Sequence, residues 1–123
     1  MLKKVAFTMY PVSDLSRAIE FYKSNLGLSP SKTFADGKWV EYDLPEGGCF
    51  ALTSMVQGVE PSSSAGGSIA FEVEDITKLM EKLKENKVTV KMDIFQSPVC
   101  RIAVIIDSEG NAVTLHQLNS KNV

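Results

Sequence analysis

A chain of 123 residues, 44% hydrophobic and 23% charged, is long enough to bury a real core, and one soluble globular domain is expected. Thirteen basic side chains against fifteen acidic ones leave a formal charge of −2, with no basic block to follow a phosphate backbone, so no nucleic acid is expected as a partner. The opening "MLKKVAFTMYPVSD" lacks the apolar run and cleavage site of a signal peptide, and no stretch is long and apolar enough to span a bilayer. The expected location is the cytoplasm, with no membrane partner. Cys49 and Cys100 are then expected to be reduced, and two thiols so far apart in sequence form no metal or redox motif.

Taken in chain order, "KKVAFTMY" reads as a strand. In "SDLSRAIEFY" the apolar residues Leu15, Ala18, Ile19 and Tyr22 recur at helical spacing, and Ser13 or Asp14 is placed to cap the start. Strands follow at "LSPSKTFA", "KWVEYDL" and "CFALTSM", separated by the turn signals Asp36-Gly37 and Pro45-Glu46-Gly47-Gly48. The segment 57–67, "QGVEPSSSAGG", is rich in Ser, Gly and Pro and reads as a flexible linker. Next come a strand "SIAFEV" and a helix in "EDITKLMEKLKEN", with Ile76, Leu79, Met80 and Leu83 on one stripe after Asp75. The chain closes with strands "VTVKMDIF", "CRIAVIID" and "AVTLHQL", Pro98 marking a bend before the seventh strand and Ser108-Glu109-Gly110-Asn111 the last turn.

The two halves repeat. A shift of 61 residues, the distance from Asp14 to Asp75, also aligns Val12 with Val73, Lys23 with Lys84, Asn25 with Asn86 and Phe34 with Phe95. A shift of 63 residues sets "PEGGCFALTSM" over "SEGNAVTLHQL", so a two-residue loop insertion relates the copies. The expected fold is α+β: two βαβββ modules, residues 1–56 and 68–123, forming paired curved mixed sheets around a cleft. A single helix covers only one face of a four-stranded sheet, and the other face must meet a second sheet, a ligand, or both.

"YPVSDLSRAIEFYKSNLGL", "GGSIAFEVEDI" and "DSEGNAVTLHQ" together resemble the vicinal oxygen chelate superfamily, also called the glyoxalase, bleomycin-resistance and dioxygenase superfamily. The resemblance covers most of the chain as a single domain of that kind, residues 1–123. It implies, for enzymatic members, a divalent metal held by His, Gln or Glu from the first and last strands of each module. Carried over one position at a time, those places fall on Phe7, Ala51, Ser68 and Thr114. None is an ordinary metal ligand, so no metal and no cofactor are expected. The resemblance also implies a homodimer.

His116, the only histidine, lies two residues beyond Thr114 and shares its face of the strand. It is the candidate catalytic residue, or else a polar contact for a ligand or a strand-end hydrogen-bonding group. Glu41 and Glu72 are the acids that could join it, Glu72 sharing the strand parity of Ser68. The expected ligand-binding cleft comprises Phe7, Met9, Trp39, Ala51, Ser68, Thr114 and His116. Trp39 and Tyr42 alternate and point to opposite faces, one to pack on the helix and the other to offer an aromatic wall. Arg101 is read as a solvated strand residue or a partner for an anionic ligand.

The leading function is a metal-free member of this kind that binds a small organic molecule in an apolar cleft. A metal-dependent or His-assisted lyase, isomerase or dioxygenase is the second reading. A non-catalytic structural or regulatory module is the third.

Overall fold

The computed structural model describes residues 1, 3–56, 58–65 and 68–119. The chain folds as two compact units, Met1–Pro61 and Ser62–Val123. Each is a four-stranded mixed sheet with one helix, and the two sheets have the same strand order relative to the chain.

The first unit contains β1 (Thr8–Pro11), α1 (Leu15–Leu26), β2 (Lys32–Phe34), a 3-10 turn at Ala35–Gly37, β3 (Trp39–Asp43) and β4 (Cys49–Thr53). The sheet order is β1-β4-β3-β2, with β1 parallel to β4 and the other pairs antiparallel. α1 begins where Asp14, in extended backbone, accepts a hydrogen bond from the Arg17 N–H at 3.1 Å, satisfying one of the donors a helix start leaves unpaired. It runs past Tyr22 and stops at Gly27, whose φ of 69° suits a residue without Cβ. Its inward stripe, Ala18 and Tyr22, is buried with Tyr10, Val40, Tyr42, Phe50 and Leu52 from the sheet. The rings of Tyr22 and Phe50 are 5.2 Å apart, and those of Tyr10 and Phe50 5.4 Å apart.

β1 is shorter than the "KKVAFTMY" run because it is an edge strand with one neighbour. Its ladder extends only over Thr8–Pro11, opposite Phe50–Thr53. Pro11 is tolerated there because an edge strand does not need every N–H for the sheet. β2 is likewise limited to the three residues that face Trp39–Glu41.

The second unit contains β5 (Ile69–Glu72), α2 (Ile76–Glu85), β6 (Thr89–Gln96), β7 (Cys100–Ile106) and β8 (Ala112–Leu118), in the order β5-β8-β7-β6. Pro98 lies in the turn between β6 and β7. Two donors at the start of α2 are satisfied. Asp75 accepts from the Lys78 N–H at 3.0 Å, and Gln117 Oε1 on β8 accepts from the Ile76 N–H at 2.8 Å. Ile76, Met80 and Leu83 are buried on the helix side together with Phe71, Ala103, Ile105, Val113 and Leu115.

The turn before β8 is organised by Asp107, whose Oδ1 accepts from the backbone N–H of Glu109 at 2.8 Å and of Asn111 at 2.9 Å. Gly110 completes it at φ 97°. Of the expected linker 57–67, Gln57, Gly66 and Gly67 lie outside the described residues. Within the remainder, Ser62 N–H donates to Asn111 Oδ1 at 3.0 Å and Lys91 Nζ donates to the Ser63 carbonyl. Ser62 and Ser63 are therefore tied to the second unit by hydrogen bonds.

Candidate functional site

Strand alternation sends one set of side chains from each sheet toward its helix and the other set to the helix-free face. In the first unit the register places Met9, Ala51 and Glu41 in one row on the helix-free face. Phe7 precedes β1 and shares the parity of Met9. Its ring meets Trp39 edge to face, with centroids 5.0 Å apart and planes at 86°. Trp39 Nε1 donates to Glu41 Oε2 at 2.9 Å, so Glu41 is engaged within its own sheet. Tyr42, of opposite parity, is buried on the helix side with Tyr22 and Phe50.

In the second unit one row across the sheet is Ala70–Thr114–Val104–Met92, and the next is Glu72–His116–Ile102–Phe95. His116 Nδ1 is 2.5 Å from Glu72 Oε1, and the Leu118 N–H donates to Glu72 Oε2 at 2.8 Å. Partial desolvation, the largest single influence, works against ionisation of Glu72. The hydrogen bonds from His116 and Leu118 together outweigh it and hold the carboxyl below its ordinary range. The carboxylate is thus the charged anchor of the pair. Of the two acids named as able to join His116, Glu72 meets it from the neighbouring strand of the same sheet, while Glu41 pairs with Trp39.

The positions carried over by resemblance occupy the ends and middles of these rows. Phe7 and Ser68 immediately precede β1 and β5, while the residues opposite Ala51 and Thr114 are Met9 and Ala70. Ala51 is fully buried and Thr114 nearly so. At the four carried-over positions the first unit offers Phe7 and Ala51, which have no donor atom, and the second offers only the neutral hydroxyls of Ser68 and Thr114, side chains that do not fit a divalent ion. Among the described residues, no group of three or more His, Cys, Asp or Glu is placed to hold a metal.

Arg101 has the parity of the helix side and donates to Thr77 Oγ1 of α2 at 2.6 Å, which gives it a structural contact there. Cys49 and Cys100 are both free thiols. Burial, followed by the nearby charges of Glu41 and Asp43, pushes the Cys49 thiol up, away from the thiolate a nucleophile needs. Two features escaped sequence reasoning. The Trp39–Glu41 bond had a signal, since residues two apart on a strand share a face. The apolar floor made by Ile102, Val104 and Met92 also had one, in the unalternating run "CRIAVII", which marks a strand apolar on both faces.

Among the described residues no helix is long and apolar enough to cross a membrane. A profile of the Glyoxalase/Bleomycin resistance protein/Dioxygenase superfamily matches residues 4–115. Glyoxalase domain-containing protein 4 from Rattus norvegicus is 24% identical over 109 residues, 83% of this chain and 37% of that protein, so the chain spans little more than a third of this relative. Among solved structures, TnmS3, an antibiotic binding protein from Streptomyces sp. CB03234, is similar at a TM-score of 0.81 and 23% identity, over 96% of this chain and 98% of that one. A lactoylglutathione lyase from Agrobacterium tumefaciens is similar at 0.72 and 16% identity, over 94% of both chains. At such identities these likenesses establish the fold, while activity has to be argued from the residues.

Proposed function

The chain belongs to the Glyoxalase/Bleomycin resistance protein/Dioxygenase superfamily, and on that premise we propose that it is a metal-independent binding member that takes up a small, flat organic molecule. The observation that carries this reading is the Phe7–Trp39 aromatic pair, beside Met9 and Ala51 on the same face, with Phe7 and Ala51 standing where the resemblance implies metal ligands in enzymatic members. An exposed Phe7 ring and a half-buried Trp39 ring beside apolar side chains favour stacking of a flat ligand. The same fold in a protein described as antibiotic binding is consistent with such a role.

The His-assisted enzyme remains the second reading, favoured by the Glu72–His116 pair alone. A base without an electrophile to hold an enolate gains limited rate, which places it second. Cytoplasmic location and a homodimer belong to this proposal.

The test is equilibrium dialysis of chelator-treated protein against naphthalene, with fluorescence of Trp39, the only tryptophan, as a second readout. Saturable uptake is expected, unchanged by nickel, zinc, manganese or iron and weakened at least tenfold in Phe7→Ala. Uptake that requires added metal would overturn the reading.

A further inference from the structure

We propose that Glu72 and His116 form an acceptor site for a weakly acidic hydroxyl, so that the bound molecule is a phenol or an enol; this rests on the small-molecule reading above. The internal repeat supplies the first reason. Glu72 and His116 are directly paired across β5 and β8, and their counterparts, paired in the same way across β1 and β4, are Pro11 and Thr53. Pro11 has no polar side chain, and Thr53 is buried with its hydroxyl donating to the Lys38 carbonyl at 2.9 Å. The fold does not need a carboxylate–imidazole pair at this place, because the other module is built without one.

The second reason is the direction of the hydrogen bonds. Glu72 is held as a carboxylate, which only accepts, so the group facing it at 2.5 Å must be Nδ1–H. In the neutral ring, Nε2 then carries the lone pair and is an acceptor. No described residue donates to Nε2, and the His116 side chain is 27% exposed, within reach of a ligand.

The third reason is the surroundings. Ile102 flanks His116 in its row, and Val104 and Thr114 lie in the next row of the same face. A bound ligand would cover this lone pair beside Ile102, and an acceptor covered without a donor is costly, so the site discriminates by donor chemistry. On binding, the ligand O–H proton is shared with or passes to Nε2. If it passes, the ligand oxygen keeps the bonding electron pair as an anion, and the imidazolium lies between that oxygen and Glu72. No other bond changes.

Because His116 is the only histidine, its ring nitrogens can be read without ambiguity in 15N-labelled protein. In alkaline buffer, where an imidazole is neutral, the free protein is expected to show the Nδ1–H tautomer, with Nε2 unprotonated. β-Naphthol should shift the Nε2 resonance and bind at least tenfold more tightly than its methyl ether, which has the same shape without the donor. In His116→Leu that preference should vanish while the ether is retained as before. In Glu72→Gln the proton should redistribute toward Nε2 and the preference should shrink. A neutral Nε2–H tautomer in the free protein, or equal affinity of the wild type for naphthol and ether, would overturn the proposal even if either variant failed to fold. Equal binding of both compounds would leave the small-molecule reading standing. Binding of neither would also overturn the phenol site, and naphthalene uptake judges the broader reading separately.

Discussion

His116 and Glu72 face one another on the paired strands β8 and β5, their side chains joined at 2.5 Å, with the second carboxylate oxygen taken by the Leu118 N–H. One backbone N–H and one imidazole therefore fix both oxygens of an otherwise exposed acid, and the imidazole gains a fixed orientation in return. The same row in the first unit, Pro11 and Thr53, has no such pair.

This arrangement sets the sign of a pH effect on stability. The folded state holds Glu72 below its ordinary value of 4.5, so its contribution is fully present above that pH and is lost as pH falls through the lower folded value. Thermal melts between neutral and acid pH should show a shallower acid loss for Glu72→Gln than for the wild type. The Glu72 side chain is 55% exposed, so solvent screening limits the difference to about 1 kcal/mol or less. An acid limb unchanged by the substitution would remove Glu72 from the explanation.

Tyr42 offers a sharper test of packing. Its ring is buried against Tyr22 and Phe50, while its hydroxyl is buried with no hydrogen-bond partner among the described residues, and burial pushes its pKa up to about 12. Removing an unsatisfied buried hydroxyl while keeping the ring is expected to be neutral or to stabilise by about 1 kcal/mol. Urea unfolding of Tyr42→Phe measures this. A loss of stability of about 1 kcal/mol or more would mean that the hydroxyl has a partner.

The helix starts can be weighed singly. Asp75 accepts from the Lys78 N–H at 3.0 Å, and Asp75→Ala should cost about 1 kcal/mol, with most of it restored by Asp75→Asn. Chemical denaturation of the three proteins distinguishes capping from a charge effect, because asparagine caps without the charge.

Much of the architecture was legible because each module states its pattern locally. The stripes that end in Tyr22 and Leu83, the aspartates 61 residues apart and the Gly110 turn each specify an element without reference to the others. Strand ends were less legible. β1 loses the residues before Thr8 because its length is set by β4, a partner more than forty residues away. The site was readable only in part for the same reason. Parity placed His116 and Glu72 on compatible faces, but their meeting depends on the parallel register of β5 on β8. Phe7 meets Trp39 through a side chain reaching from outside its strand, a contact that no spacing along the chain encodes.

Gly110 is expected to be sensitive for a backbone reason alone. Nothing lies within 4 Å of where a Cβ would stand, yet φ is 97°. Gly110→Ala should therefore destabilise by about 1–3 kcal/mol through strain, measured by urea unfolding. An unaffected variant would show that the turn has another conformation open to it.

The most direct measurement is the metal content of untagged protein after exposure to nickel, zinc, manganese and iron and removal of the excess, with His116→Ala treated alongside. Neither protein is expected to retain a stoichiometric amount of any of these ions. A full equivalent of metal in the wild type, lost in His116→Ala, would contradict a metal-independent binding protein and make a relocated-site enzyme the leading interpretation.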